Sequence, residues 1–471
     1  MKIELDIKRI KNRLFKSLKI NTYKDLKELK KKIDTSPVLI RYILPQIIFE
    51  LSKYDYNFSF FEKSFFEKLL IKFNNILRRL SYIFKISFNL FRDNKFYHNP
   101  KIIILSRHKY IDQLNFFPLS NQIKKKHLVI FGLNEAPSNA QKEYKNKSID
   151  LNQYINFFDF IRGSIEYYKN KRYLNNLPIN FNNEEFKNKF YKKFFFELVF
   201  YKRILRNFNP KIILSSTFFG NEALVYYFKE FKKMKTKFYD IGFNGIGGDS
   251  GFYLHHFSNL VLVPSKNDSE IMNELKKNSI DIIKVPKVKI IGNIRQQYWE
   301  KNLKIKLNKN KRIKIFFISS NPIYFSKNIE KEALKIFIKF SLNYPQFDYL
   351  IKERPSFRNN YYKNLIKNKN IKIFNDKNLL IEDLINESDI CVGTSSTALL
   401  RQAAFQNKFI IQMFHKYCYM SKIKNQSNVD TYRKFKNEIF QIINKKKKKN
   451  DQIINLKLNP IKEIEKLIDN L

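Results

Sequence analysis

The segment of residues 348–404 decides the fold, and its two ends are DYLIKERP (348–355) and DICVGTSSTALLRQAA (389–404). Each end begins with an apolar run of the length of a buried strand, and each run leads directly into residues that can bind an anion. Strands that alternate with helices form parallel sheets, and ligands bind outside the carboxyl ends of their strands. The segment therefore predicts an α/β domain with a ligand site at this edge of its sheet.

A phosphate site is predicted where residues 389–392 end and the helix 398–406 begins. The glycine and four hydroxyl residues between them offer free N–H groups, hydroxyl donors and the positive end of a helix dipole. Hydroxyl residues also cap helices without binding any ligand, but two cations on the neighbouring strand end favour the phosphate interpretation. The predicted phosphate-binding residues are Lys352, Arg354, Gly393, Thr394, Ser395, Ser396 and Thr397.

The alternation of short apolar runs with helix-length stretches recurs along the chain and predicts doubly wound parallel sheets in two domains. The predicted strands are 101–105, 128–131, 211–214, 236–241, 260–264 and 288–291, then 314–318, 348–351, 371–374, 389–392 and 409–413. The stretch 149–208 predicts helices. The predicted domains are a basic helical extension (1–95), an N-terminal Rossmann-like domain (96–295), a C-terminal Rossmann-like domain (296–450) and a terminal helix (451–471).

The composition favours anionic partners. The formal net charge is +47, which favours nucleotides, anionic polymers or the inner leaflet of a membrane. The chain is generally rich in Lys, Asn, Ile, Phe and Tyr, so much of this charge reflects a compositional bias and not a specific binding surface. Because no nucleic-acid motif is found either, nucleic-acid binding is not expected. Two cysteines and six histidines lack the spacing of a metal site, so we predict no metal and no disulfide.

The localisation predicted from the sequence is cytoplasmic, with a contact at the inner face of the membrane left open. No apolar run reaches about 18 residues, and the first residues show no secretory segment. Residues 60–91 interleave Phe, Leu and Ile with Lys and Arg. This segment predicts either a helix packed on the first domain or an amphipathic helix on the membrane surface.

A second binding loop is predicted at residues 242–251, GFNGIGGDSG, which hold five of the ten glycines of the chain. Glycine permits positive φ and close approach of the backbone to a ligand. A flexible connection is the simpler alternative. We predict that Gly242, Asn244 and Gly245 face the binding cleft.

The motifs resemble the C-terminal half of GT-B-type glycosyltransferases of surface-polysaccharide synthesis. The nearest patterns are those of the capsule polysaccharide, polysialyltransferase-like and CDP-glycerol glycerophosphotransferase families. These carry K-x-H-P, then D-L with another D a few residues on, then G-x-S-S-T; the corresponding segments here are 352–355, 383–389 and 393–397. The histidines of those families are replaced by Arg354 and, before Gly245, by Asn244.

The resemblance implies a GT-B-like fold, with two Rossmann-like domains facing a cleft and a last helix that crosses back to the first domain. It also implies a nucleotide-activated donor on the second domain, a glycan or lipid-linked acceptor on the first, and no cofactor. Inverting transfer needs a base near the acceptor hydroxyl. The candidate catalytic residues follow predicted strands of the first domain, although capping or solvation would also explain them; they are His108, Asp112, Glu135 and Asp249.

Several functions remain open at this point. The favoured one is a GT-B glycosyltransferase that builds a capsule or lipopolysaccharide. A polyol-phosphate transferase acting on CDP-glycerol and a UDP-sugar 2-epimerase are alternative enzymes. A non-catalytic scaffold that binds nucleotides or polyanions is the alternative from another class, and the two replaced histidines are its best support.

Overall fold

The computed structural model describes two α/β parts, each built around a parallel sheet, and a terminal helix. The described residues are 31, 41–42, 101–106, 128–132, 148–175, 184–216, 218, 220–241, 257–277, 286–294, 312–319, 327–352, 366, 370–374, 381–394, 400, 403, 406, 408–414, 427–444 and 458–469.

Seven parallel strands form the first sheet, in the order β3-β2-β1-β4-β5-β6-β7. They are β1 (Ile102–Ser106), β2 (Leu128–Gly132), β3 (Ser148–Asp150), β4 (Ile212–Ser215), β5 (Lys237–Ile241), β6 (Leu260–Val263) and β7 (Lys287–Ile290). The chain adds β2 and β3 on one side of β1 and then returns to its other side with β4. This doubly wound order places a topological switch point between β1 and β4.

Both faces of the first sheet are buried. Ile103 and Leu105 of β1 belong to one apolar cluster, whereas Ile102 and Ile104 belong to another on the opposite face. A strand covered on both faces must be apolar throughout, which explains the uninterrupted run in the sequence. The helices of this part are α1 (Phe157–Asn175), α2 (Glu184–Ile204), α3 (Glu222–Tyr226) and α4 (Lys266–Lys277), with a 3-10 turn at Leu151–Tyr154 and a π-helical turn at Tyr227–Phe231.

Six parallel strands form the second sheet, in the order β10-β9-β8-β11-β12-β13. They are β8 (Lys314–Ile318), β9 (Asp348–Lys352), β10 (Ile371–Phe374), β11 (Ile390–Gly393), β12 (Phe409–Met413) and β13 (Ser427–Val429). The helices here are α5 (Lys327–Asn343), α6 (Ile381–Glu387) and α7 (Tyr432–Ile443). The side chains of β8 alternate between two apolar clusters, and the switch point lies between β8 and β11.

The last helix, α8 (Pro460–Asp469), packs against the first sheet rather than the second. Ile461 and Ile464 are buried in the same cluster as Ile102 and Ile104 of β1. The Nζ atom of Lys289 also lies 3.2 Å from the Oε2 atom of Glu463. The chain therefore returns to the first part after it completes the second sheet.

The predicted fold class, α/β with two Rossmann-like doubly wound sheets in a GT-B-like arrangement, is confirmed by the strand orders. Several elements differ from the sequence-based prediction. The stretch 149–208 begins with an edge strand, β3, rather than a helix, and β13 and α7 were not predicted. The connection between β4 and β5 is a short α-helix, α3, followed by a π-helical turn.

The predicted domain bounds near residues 95, 295 and 450 fall outside the described residues and stay predictions, as does the segment 60–91. Within the first hundred residues, Tyr42 is buried, and its hydroxyl donates to Oε1 of Glu230 at 2.8 Å. The ring of Tyr42 stacks on that of Phe257, with the centroids 5.2 Å apart. This part of the extension therefore packs on the first domain.

Candidate functional site

The carboxyl ends of three neighbouring strands of the second sheet lie in one row. Ile318 of β8 pairs with Lys352 of β9 on one side and with Gly393 of β11 on the other. Adjacent strands are about 4.8 Å apart, so the Cα atoms of Lys352 and Gly393 are separated by about 10 Å. The backbones of Lys352 and Gly393 therefore lie on either side of the carboxyl end of β8.

Gly393 allows the chain to leave the sheet close to β8. A Cβ atom at this position would lie 3.1 Å from the carbonyl oxygen of Ile318 and 3.5 Å from the Cδ atoms of Leu400. The carbonyl oxygen belongs to a strand, which cannot easily give way. Glycine therefore gives the predicted phosphate turn a close approach to the switch point.

Thr394, the first hydroxyl residue of the turn, is fully buried. Its hydroxyl donates to Oε2 of Glu330 on α5 at 2.6 Å, and its carbonyl oxygen accepts from Nε2 of Gln412 on β12 at 2.9 Å. Its hydroxyl is therefore used to hold the start of the turn in place.

Lys352 is half-buried, and its backbone is tied to the neighbouring strand end. The hydroxyl of Ser319, directly after β8, donates to the carbonyl oxygen of Lys352 at 3.3 Å. Ser319 itself is buried. The bond joins the ends of β8 and β9, so the base of the lysine side chain has a fixed position at the carboxyl edge.

Of the predicted site residues, the structure describes Lys352, Gly393 and Thr394, and it brings Lys352 and Gly393 to one edge of the sheet. The others lie outside the described residues, and their roles stay predictions. They are Arg354, Ser395, Ser396 and Thr397 of the phosphate site, Gly242, Asn244 and Gly245 of the cleft loop, and the catalytic candidates His108, Asp112, Glu135 and Asp249.

The first sheet has its own switch point, between β1 and β4. Leu105 pairs with Ser215 in this register, and Ser106 and Ser215 are the last residues of the two strands. The predicted candidate His108 follows β1 by two positions in the sequence. The carboxyl ends of β1 and β4 therefore lie side by side at this switch point.

Glu222 is a buried carboxyl group after β4 and is not among the site residues predicted from the sequence. Its Oε1 atom accepts the N–H of Gly220 at 2.5 Å. Burial raises the pKa of this carboxyl to about 7; hydrogen bonds from backbone N–H groups and the charge of Lys193 lower it, and Glu197 raises it. In the sequence, a glutamate at a helix start indicates only a favourable charge on the helix dipole. Its burial is decided by packing against α2.

Two charged residues of α2, Lys193 and Glu197, lie beside Glu222. The Nζ atom of Lys193 lies 3.5 Å from Oε1 of Glu197 and donates to the carbonyl oxygen of Gly220 at 3.3 Å. Glu197 is buried as well. A carboxyl group that titrates near neutral pH beside a second carboxylate and an ammonium group can hold or release a proton under working conditions.

Two further features concern metals and thiols. In the described part of the chain, no three His, Cys, Asp or Glu side chains are grouped closely enough to hold a metal ion. Cys391 is buried in β11, and its burial raises the pKa of the thiol to about 12. The thiol is thus protonated at neutral pH and acts as a packing group.

Among the described helices, none combines the length and apolar character needed to cross a membrane.

Solved structures of sugar-nucleotide enzymes share this fold at low similarity. The UDP-GlcNAc 2-epimerase of Methanocaldococcus jannaschii, in complex with UDP-GlcNAc and UDP, is 14% identical with a TM-score of 0.49, over 79% of this chain and 99% of the enzyme. The UDP-GlcNAc 2-epimerase of Neisseria meningitidis, bound to UDP-GlcNAc, is 13% identical with a TM-score of 0.46. The match covers 73% of this chain and 91% of the enzyme. A glycosyltransferase of Rickettsia africae is 13% identical with a TM-score of 0.39, and the match covers 74% of this chain and 89% of the glycosyltransferase.

No family model matches the sequence, and no curated protein matches it. The fold assignment therefore rests on the strand orders of the two sheets and on the return of α8 to the first sheet.

Proposed function

We propose that this protein is a GT-B-type glycosyltransferase that uses a nucleotide-activated sugar to build a surface polysaccharide, such as a capsule or lipopolysaccharide. The observation that carries the proposal is the row formed by Lys352, Ile318 and Gly393 at the switch point of the second sheet. In doubly wound sheets the ligand binds at this point. The row supplies a cation and a close-packed turn where the diphosphate of a donor would lie.

The chemistry requires stabilisation of a leaving group. Transfer breaks the bond between the anomeric carbon of the sugar and the nucleoside diphosphate, and negative charge develops on the departing phosphate oxygen. The ammonium group of Lys352 and the N–H groups after Gly393 would stabilise this charge, with Arg354 as a predicted second cation. Loss of one such donor typically slows the chemical step by about a hundredfold or more.

The acceptor would approach from the first domain. Its attacking hydroxyl, on a glycan or lipid-linked acceptor, forms the new bond to the anomeric carbon and loses its proton to a base. His108, Asp112, Glu135 and Asp249 remain the proposed candidates for this base. We place the reaction in the cytoplasm, where nucleotide-activated sugars would be the co-substrates.

The proposal is tested by a thermal-shift panel of UDP, CDP, GDP and their sugar conjugates. A nucleotide at about 100 times its Kd adds about 2.7 kcal/mol to the free energy of unfolding. We expect one base to raise the melting temperature of the wild type and Lys352→Ala to lose most of that shift. The matched control is Lys314→Ala, because Lys314 lies on β8 at the opposite, amino edge of the same sheet.

The control should keep the full shift, since its main contact is an ion pair with the exposed Glu387. If Lys352→Ala retains the shift, the phosphate site lies elsewhere. If no nucleotide stabilises the folded wild type, the protein is not a nucleotide-dependent transferase of this kind. A positive panel is followed by an assay of nucleoside diphosphate release in the presence and absence of an acceptor glycan.

A further inference from the structure

One face of helix α1 carries most of the exposed large apolar side chains in the described part of the chain. Seven such side chains are exposed there, and five belong to α1, with exposed fractions from 42% to 65%. The five are Phe157, Phe158, Ile161, Ile165 and Tyr168; the other two are Phe231 and Leu342. Residues 157, 161, 165 and 168 follow one another at helical spacing, so they form a single outward stripe.

The opposite face of α1 is bound firmly to α2. The carboxylate of Asp159 accepts from Nε of Arg203 at 2.9 Å and from its Nη2 at 2.6 Å. A Cβ atom on Gly163 would lie 2.7 Å from Cα of Phe196, so the two helices meet backbone to backbone. The inner side of α1 therefore packs closely on α2, and among the described residues the apolar stripe lies on the outward side of the helix.

The stripe is bordered by positive charge. Arg162, Lys169, Lys171 and Arg172 are all exposed on α1. Lys169 lies 3.4 Å from Glu166, which is itself partly exposed, so this pair is screened by water. The helix has no other partly or fully exposed carboxylate among its residues, since Asp159 is buried. The outward face thus combines bulky apolar groups with a net positive border.

We propose that the outward face of α1 docks on an anionic lipid bilayer. An interfacial helix buries its apolar stripe at the boundary between headgroups and acyl chains and places lysine and arginine among the phosphates. Each basic residue near an anionic surface contributes about 1 kcal/mol. The long side chains of Arg162 and Lys169 can extend to the headgroups while their stems cover the apolar surface.

A second copy of the chain is a poorer occupant of this face. Two such faces packed together would bring Arg162, Lys169, Lys171 and Arg172 of each copy close to the same cations of the other. The whole chain also carries 90 Lys and Arg against 43 Asp and Glu, which opposes self-association. An anionic bilayer supplies an apolar layer and a negative surface together, and therefore complements both features of the face.

Docking through α1 would hold the first sheet at the membrane, because α1 and α2 together connect β3 to β4. The proposal does not depend on the nucleotide chemistry of the second sheet. It also concerns a different segment from residues 60–91, whose sequence predicts a membrane-surface helix as one of two alternatives.

The test is flotation of the full-length chain with vesicles of phosphatidylcholine alone and of phosphatidylcholine mixed with phosphatidylglycerol. We expect the wild type to float with the mixed vesicles and not with phosphatidylcholine alone. The double variant Ile161→Ser/Ile165→Ser should raise the half-saturating lipid concentration about tenfold or more, because two large apolar groups are lost from the interface. The control Leu342→Ser removes an exposed apolar side chain from α5 and should bind as the wild type does.

The substituted side chains are exposed, so the variants should keep the wild-type melting temperature in the absence of lipid. Equal flotation of the double variant and the wild type would overturn the proposal and assign binding to another segment. Failure of the wild type to float would also overturn it. In that case, self-association that the double variant abolishes would identify a second copy as the occupant, and a lower melting temperature of the double variant would identify another segment of this chain.

Discussion

Lys352 and Gly393 flank the same residue, Ile318, at the carboxyl edge of the second sheet, and each is paired with it in parallel register. Their separation is set by hydrogen bonding between strands, not by side-chain packing. A substitution at either position can therefore remove charge or space without moving the other residue. The proposed donor site can be dissected one component at a time.

Gly393→Ala tests the space at the turn. The added Cβ atom meets the carbonyl oxygen of Ile318, so we expect a loss of about 1 kcal/mol in the free energy of unfolding and a turn displaced from the edge. The apparent affinity for the nucleotide should fall at least tenfold. Thermal shifts at several nucleotide concentrations measure this affinity.

Gly163→Ala is the matched control for this substitution. Its Cβ atom would lie 2.7 Å from Cα of Phe196, so it should cost more stability, about 2–3 kcal/mol. It lies in the first domain and should leave the apparent nucleotide affinity unchanged. Equal affinities of Gly393→Ala and wild type would show that the turn does not contact the nucleotide.

Thr394→Val tests the support beneath the turn. It removes a hydroxyl that donates to the buried carboxylate of Glu330, so we expect the free energy of unfolding to fall by about 1–3 kcal/mol. Thr394→Ser keeps the donor and should recover most of this loss. Urea unfolding of the three proteins measures the difference. If valine and serine cost the same, the hydrogen bond to Glu330 contributes little.

Glu222→Gln tests the buried carboxyl of the first domain. Folding raises its pKa from 4.5 to about 7, so its stabilising contribution is complete below pH 4.5 and is lost as the pH rises through 7. Glutamine stays neutral and can still accept from Gly220. The variant should therefore be roughly 3 kcal/mol more stable than the wild type above about pH 8 and nearly equal to it near pH 4.5.

Urea unfolding at both pH values measures this difference. The exposed Glu332, replaced by glutamine, controls for the loss of one carboxylate, and it should show no gain of this size at high pH. A wild type more stable than Glu222→Gln at high pH would mean that the ionised carboxylate is stabilised in the fold, contrary to the effect of burial.

Ile464→Ala tests the attachment of α8 to the first sheet. Its side chain is fully buried among strand residues of that sheet, so truncation should lower the free energy of unfolding by about 2–5 kcal/mol. Leu467→Ala, on the partly exposed side of the same contact, should cost less. Limited proteolysis should cut Ile464→Ala near residue 458 faster than the wild type. Equal stability of all three proteins would show that α8 contributes little to the first domain.

The interior strands could be predicted from the sequence because both of their faces are covered. The alternating clusters on β1 and β8 require every position to be apolar, and such runs are visible without tertiary information. The edge strands β3 and β13 were missed for the opposite reason. Each has three residues and a neighbour on one side only, so neither needs a continuous apolar run.

The candidate site was predictable in part. Lys352 and Gly393 were recognised because each follows an apolar run directly, and parallel strands bring their carboxyl ends to one edge. Glu222 was not recognised, because a glutamate at the start of a helix has the same local sequence whether it is buried or exposed. The burial of Thr394 was missed for a similar reason, since its partners Glu330 and Gln412 lie on other elements.

The sequence by itself determined the alternation of strands and helices, the two parallel sheets, and the positions of Lys352 and Gly393 at the ends of two strands of the second sheet. Local apolar patterns and chain order are sufficient for these features. Only the tertiary structure decided that Lys352 and Gly393 share Ile318 as a partner, that Glu222 is buried, and that α1 presents an apolar face with a basic border. These features depend on register and packing between segments far apart in the chain, and such contacts leave no local pattern in the sequence.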